Sequence, residues 1–274
     1  MSIFKTNYLR SLIVAASIIA VPTEVFSADS VVKLGVVGEE NEAWSHVAEV
    51  LKPKGITLEL VKFADYTLPN TALENGDVDI NAFQHIAFLN HENKDKGYHI
   101  VPIGNTFISP LGLYSAKYKK VDEFKDGDTI AIPNDPTNGG RALKLIESAG
   151  LIKLNPDKGY VPEVRDIVEN PKNLKFYEID AANTYSLLQD VAGSVINSNY
   201  AVDNGLSPIK DAIFVDNVEN VSSDNPYINV IAAREENKDR AELSEVVKAY
   251  QTKEVAKILL ETRKGAQLPV FKYQ

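Results

Sequence analysis

The stretch IPNDPTNGGRAL, residues 132–143, joins an apolar β-type run, DTIAIP (128–133), to a helical pattern over 138–149 through a proline-framed turn. A strand that turns directly into a helix is half of a βαβ unit. Repeated units of that kind build sheets covered by helices, with ligands bound at the carboxyl ends of strands. The same stretch sets Arg141 among the first residues of its helix. A helix start is positive, so a cation in the first turn is unfavourable by roughly 0.3–1 kcal/mol unless something anionic joins it. The sequence therefore asks for an anion beside Arg141, against the alternative of an arginine that reaches solvent and is screened.

The alternation continues outward in both directions. Strand patterns occupy 31–38, 56–63, 77–83, 99–104, 112–115, 174–180, 193–198 and 227–234, besides 128–133. Helical patterns lie near 41–52, 69–75, 85–96, 183–191 and 199–205, with a helical tail from about 238. This order predicts an α/β fold of mainly parallel sheets flanked by helices. A polar, turn-rich stretch at 219–226 marks a boundary. If the chain leaves a first lobe near Leu111 and returns near Asn225, two crossovers form a hinge, and ligand clefts favour such interfaces. The expected division is 29–111 with 226–274 in lobe I and 112–225 in lobe II.

Composition narrows the function. Lys5 and Arg10 precede an apolar run from about Leu12 to Val21, and small residues follow at Ser27 and Ala28. The run is shorter than the ~20 residues that span a bilayer, so residues 1–28 read as a cleavable export signal. Cysteine is absent, which removes disulfides, thiolate catalysis, thiolate metal sites and a lipid-attachment cysteine together. The expected location is the periplasm. A net charge of −9 with no dense basic stripe argues against nucleic acid.

No motif for covalent or metal chemistry emerges. GVVGEENE (35–42) is neither a dinucleotide fingerprint nor a phosphate loop, no pair among His46, His85, His91 and His99 has recognised ligand spacing, and no G-x-S-x-G elbow exists. No cofactor and no metal are expected. Polar and aromatic groups instead gather at the carboxyl ends of the expected strands: Tyr66, then Phe83, Gln84, His85 and Phe88, then Asn138 and Arg141, then Asn197 and Asn199, and Asn229 in PYINV. An arginine fork for a carboxylate, amides for further polar atoms and aromatic walls describe an amino-acid site. Each of these residues also has a plainer reading. Tyr66, Phe83 and Phe88 suit core packing, and Asn138 suits a helix cap.

FADYTLPNTALENGDVDINAFQH, GNTFISPLGLYS, IPNDPTNGGRAL, IVENPKNLKFYEID and INSNYA, in this order and spacing, resemble the substrate-binding proteins of the bacterial methionine importers, the NlpA-type lipoprotein family. The resemblance covers essentially the whole chain after the signal. It implies a two-lobed periplasmic-binding-protein fold that closes on an amino acid and delivers it to the transmembrane subunits of an ABC importer. It implies that Arg141 holds the ligand carboxylate, with Tyr66, Phe83, His85 and Phe88 from one lobe, Asn138, Arg141 and Asn197 from the other, and Asn229 from the returning segment. Methionine is the implied ligand, with a methionine-containing dipeptide or another apolar amino acid behind it, and the protein is expected to act as a monomer. Three features depart from the family pattern: the missing lipid-attachment cysteine, Phe88 where relatives often carry tyrosine, and Gly139 and Gly140 in place of bulkier residues, a change expected to widen the cleft. The reading from a different class is an α/β lyase or transferase acting on a small carboxylate, with Arg141 as anchor and His85 as acid or base.

Overall fold

A computed structural model describes residues 30–38, 42–218, 222–263 and 265–273. The expected signal segment, residues 1–28, lies outside the described residues. In chain order the elements are β1 (Ser30–Val37), α1 (Glu42–Leu51), β2 (Ile56–Phe63), α2 (Pro69–Asn75), β3 (Ile80–Asn81), α3 (Ile86–Lys96), β4 (Ile100–Ile108), β5 (Gly112–Tyr114), β6 (Thr129–Pro133), α4 (Pro136–Ser148) and β7 (Lys153–Leu154). There follow β8 (Ile167–Glu169), β9 (Lys175–Ile179), β10 (Gly193–Ile196), α5 (Ser198–Asp203), β11 (Phe214–Val215), β12 (Ile228–Arg234), α6 (Ala241–Tyr250), α7 (Lys253–Thr262) and β13 (Leu268–Pro269).

Two sheets define two lobes. The first has strand order β13-β4-β12-β3-β1-β2 and the second β11-β5-β10-β6-β9, with β7 and β8 forming a separate ribbon. The chain passes from the first sheet to the second after Ile108 and returns after Val215. Each sheet is mixed rather than mainly parallel. Pairs β1–β2, β1–β3, β6–β9 and β6–β10 are parallel, with α1, α2 and α4 supplying return paths and linked turns doing so between β9 and β10. Strands β12 and β5, which lie next to the crossovers, run antiparallel to their neighbours because no helix turns the chain before they enter a sheet.

The local signals explain where the helices begin. Proline opens α2 and α4, supplying a preset φ at a position whose N–H needs no helical partner. Asp135 caps α4 by accepting from Asn138 N, and Thr252 caps α7 by accepting from Val255 N. On α1 the buried residues Ala43, Trp44, Val47 and Leu51 fall on one face, against α6 and α7, and the rings of Trp44 and Tyr250 lie 4.4 Å apart. The helix expected over 183–191 is instead a short 3-10 turn at Ala181–Asn183 followed by linked turns. There Thr184 and Ser186 spend their hydroxyls on the carbonyls of Ala181 and Asn183, and such local bonds compete with a regular helix.

Helix α4 sits close to its surroundings because of its two glycines. A Cβ on Gly139 would lie 2.7 Å from the carbonyl oxygen of Pro133, and one on Gly140 would lie 2.7 Å from that of Tyr160 and 2.9 Å from Val161 Cα. They face backbone, not the cleft, so they bring the helix inward rather than widening the site. Gly140→Ala should destabilise the protein by about 1–3 kcal/mol, the usual cost of overpacking a close contact. Chemical denaturation of the two proteins checks this, and an unchanged midpoint would show that the 160–162 segment yields freely.

Candidate ligand-binding site

A cavity of about 90 Å³ lies between the lobes, walled by residues that follow β1, β2, β3, β6 and β10, by the outgoing crossover at Ser109, Pro110 and Leu111, and by Asn229 of β12. A water needs roughly 10–15 Å³ on this measure, so several water-sized groups fit. All eight residues singled out in the sequence line it: Tyr66, Phe83, His85, Phe88, Asn138, Arg141, Asn197 and Asn229. Its walls come from both lobes, so the cavity is a cleft shared between them.

The segment from Phe83 to His85 is fixed from behind by three buried amides. Asn70 Nδ2 donates to Gln84 Oε1 at 2.7 Å, Gln84 Nε2 donates to Asn70 Oδ1 at 2.6 Å and to Asn81 Oδ1 at 3.0 Å, and Asn81 Nδ2 donates to Asn70 Oδ1 at 2.9 Å. Such a network rigidifies a core because each member is satisfied. Next to it, His85 caps α3: its Nδ1 accepts from Phe88 N at 3.0 Å. That bond requires a bare Nδ1, so the ring proton sits on Nε2, which donates across the cleft to Asn138 Oδ1 at 3.3 Å. Burial and the nearby Arg141 guanidinium push the His85 pKa down to about 3, and the ring is neutral at physiological pH.

Asn138 works as a hub. Its Oδ1 also accepts from Asn197 Nδ2 at 2.8 Å, while its own Nδ2 donates to both carboxylate oxygens of Asp135 at 3.1 and 3.0 Å. Its amide is therefore committed to protein partners, and the capping role belongs to Asp135. Asn197 Oδ1, by contrast, is buried and has no hydrogen-bond partner among the described residues. The apolar wall is a cluster of rings: Tyr66 lies 5.9 Å from Phe83, 6.2 Å from Phe88 and 5.1 Å from Tyr200, and Phe83 meets Phe88 edge-on at 5.8 Å. Tyr66 donates its hydroxyl to Asn199 Oδ1, a second bond across the cleft.

Arg141 differs from the sequence expectation in two respects. Helix α4 begins at Pro136, so Arg141 stands in its second turn and the dipole penalty of a first-turn cation is reduced. Arg141 is 5% exposed, which excludes the solvated reading, and it already has an anion within the chain. Asp216 Oδ2 accepts from Arg141 Nε at 3.1 Å and from Nη2 at 2.7 Å, the carbonyl oxygen of Ser109 accepts from Nη2 at 2.7 Å, and the Tyr227 ring lies 4.4 Å from the guanidinium carbon. The two Nη1 hydrogens make no hydrogen bond among the described residues and are the ones left for a ligand. A two-nitrogen fork toward a ligand is thus pre-empted.

Sequence reasoning missed Asp216 and Tyr227 around the guanidinium and passed over Ser109 in the cavity wall. Asp216 lies 75 positions from Arg141, and no spacing rule reaches that far. Tyr227 stood two residues from Asn229 in PYINV and could have been found as an aromatic in the same returning segment.

Two lobes joined by two crossovers, with a polar and aromatic cavity between them, define the class of binding proteins that hold a small solute in a cleft. The chain belongs to the NlpA lipoprotein family, whose model matches residues 32–271. It is 48% identical over 228 residues to the D-methionine-binding lipoprotein MetQ of Escherichia coli strain K12, covering 82% of each chain. It is 48% identical over 238 residues to outer membrane lipoprotein 3 of Mannheimia haemolytica, covering 86% of this chain and 89% of that one. Among solved structures, a nutrient-binding protein from Burkholderia cenocepacia bound to methionine superimposes with a TM-score of 0.82 at 42% identity, covering 88% of this chain and all of the other.

The depressed His85 pKa carries a stability consequence. The unfolded ring binds a proton below about 6.5 and the folded ring only below about 3, so between these values the unfolded state holds more protons and stability falls as pH falls. At about 1.36 kcal/mol per pH unit, the His85 contribution lost between pH 7 and pH 4 is about 3 kcal/mol. Asparagine keeps the cap and does not titrate, so His85→Asn should lose about that much less over the same interval. Urea unfolding of both proteins at the two pH values reads the difference, and equal losses would show that His85 protonates in place.

Proposed function

We propose that the protein captures methionine, or a close analogue, between its lobes and delivers it to the membrane-spanning subunits of an ABC importer. The observation that carries this reading is the buried Arg141 guanidinium with its Nη1 end uncommitted, set in a cavity that also holds an aromatic wall. A carboxylate meets the Nη1 hydrogens. The unpaired Oδ1 of Asn197, together with Asn229 on the returning strand, accepts from the ammonium. The thioether lies against Tyr66, Phe83 and Phe88, where sulfur at a ring edge contributes roughly 0.3–1.5 kcal/mol. Phenylalanine at position 88 keeps that wall apolar. The protein acts as a monomer, a reading supported by a cavity whose lining residues come from the two lobes of one chain. The lobes divide at 29–111 with 226–274 and at 112–225, a boundary supported by the sheet to which each strand belongs.

The enzyme reading assigns His85 a proton-transfer role. Both of its ring nitrogens are engaged by the protein, one by Phe88 N and one by Asn138, which disfavours it as a proton carrier.

Calorimetric titration with D-methionine, L-methionine and a methionine-containing dipeptide identifies the ligand. Arg141→Ala should weaken binding of that ligand by about 30- to several-thousand-fold, since truncating one partner of a buried, hydrogen-bonded charge pair costs roughly 2–5 kcal/mol. Arg141→Lys should recover part of the loss, because an ammonium keeps the charge but not the planar geometry that Asp216 and Ser109 grip. Binding by Arg141→Ala within about threefold of wild type would remove the arginine from the site.

Export follows from residues 1–28, with cleavage near Ala28 and no cysteine for a lipid tether. The mature protein should appear in the osmotic-shock fraction without detergent, starting near Ala28 or Asp29. Recovery from membrane pellets alone would mean that the segment stays as an anchor.

A further inference from the structure

We propose that Asp216 is the positioning residue of the carboxylate site: it grips the Nε–Nη2 edge of Arg141 so that only the Nη1 end is offered to the ligand. The proposal rests on the reading of Arg141 given above and adds a residue that lies outside the cavity wall. Asp216 lines a separate groove at the crossovers, together with Lys144, Asn217 and Tyr227, and reaches the guanidinium from there.

The carboxylate of Asp216 is itself held. Its Oδ1 accepts from Leu111 N at 2.6 Å, and its own backbone N–H donates to the Leu111 carbonyl oxygen at 3.1 Å. Asp216 follows β11 on the returning crossover, and Ser109 and Leu111 lie on the outgoing one. One guanidinium is therefore bonded to both connections between the lobes. Three of its five N–H bonds point to fixed acceptors, and Tyr227 covers one of its faces. Without Asp216 only the Ser109 carbonyl oxygen would remain, and a buried guanidinium with one acceptor would turn to find others.

Charge and orientation predict opposite effects, which makes the proposal decidable. If Asp216 acted only as a competing anion, removing its charge would leave Arg141 freer and tighten methionine binding. If it orients the fork, removal weakens binding of ligands that carry a carboxylate and spares those that do not. Asp216→Asn keeps an acceptor for Leu111 N but presents an amide that cannot serve both guanidinium donors.

The experiment titrates wild type, Asp216→Asn, Asp216→Glu and Arg141→Ala/Asp216→Asn with methionine and with methionine amide, which lacks the carboxylate. Wild type should prefer methionine by at least thirtyfold. Asp216→Asn should lose tenfold or more for methionine and less than threefold for the amide, Asp216→Glu should recover part of the loss, and Asp216→Asn should change nothing further once Arg141 is alanine. Unchanged or tighter methionine binding by Asp216→Asn overturns the proposal, whereas a wild type that does not distinguish the two ligands overturns the Arg141 reading beneath it. Should thermal melts show Asp216→Asn unfolded, Asp216→Glu decides alone: a reduced preference for methionine supports positioning, and a full one overturns it.

Discussion

Everything in the cleft depends on making a buried arginine tolerable. A guanidinium taken out of water without partners costs many kcal/mol, and even a well-paired one barely recovers its desolvation. In this protein Asp216, the Ser109 carbonyl oxygen and the Tyr227 ring surround Arg141 on the protein side. Those partners come from the two crossovers, so the start of helix α4 is bonded to the segments about which the lobes would move. The site cannot be assembled by one lobe, and its cation cannot leave without disturbing the connection between lobes.

From that anchor a chain of committed amides runs along the cleft. Asp135 holds Asn138, Asn138 receives His85 and Asn197, and the Asn70–Asn81–Gln84 cluster holds the loop that carries Phe83 and His85. Each bond fixes a rotamer, and together they convert short loops at strand ends into a rigid wall. Rigidity of this kind lowers the ordering cost that binding would otherwise incur. The histidine belongs to this frame. Its neutral state follows from burial beside a cation, and its single ring proton serves the bond to Asn138 across the cleft.

What the sequence discloses is what short-range chemistry controls. Strand β2 and helix α2 occupy the bounds expected of them, because ITLEL alternates before the apolar pair Leu60–Val61 and Pro69 and Gly76 frame a single short helix. The strand-end rule of an α/β sheet points to ten residues without any knowledge of tertiary contacts, the family resemblance selects eight of them, and all ten line the cavity. Strands β7, β8, β11 and β13 are two or three residues long and carry no readable period. Strand direction beside the crossovers is not legible, since the direction in which a chain re-enters a sheet is set by the lobe around it and not by its own residues. Asp216 was invisible for the same reason. An aspartate in a turn-rich segment has an ordinary local explanation, and its partner lies 75 positions away.

The arrangement also bears on what the cleft selects. Arg141 and Asp216 form a neutral unit, so a ligand bearing only a carboxylate would bring an unbalanced charge into a buried place, whereas a zwitterion brings its own balance. On the proposed reading, the Asn197 oxygen that has no partner among the described residues takes the ammonium, and a hydrophobic acid would leave it unsatisfied. Beyond these two polar ends the wall is aromatic, and the Tyr66 hydroxyl, the polar handle among Tyr66, Phe83 and Phe88, is already given to Asn199. Selection therefore falls into two parts of different strength. The polar ends discriminate steeply, because each missing ligand group strands a buried protein group, while the aromatic wall grades apolar side chains only by fit, at about 1–3 kcal/mol per methylene. A cleft built this way holds an α-amino acid firmly as a class and ranks its members by the shape of the side chain.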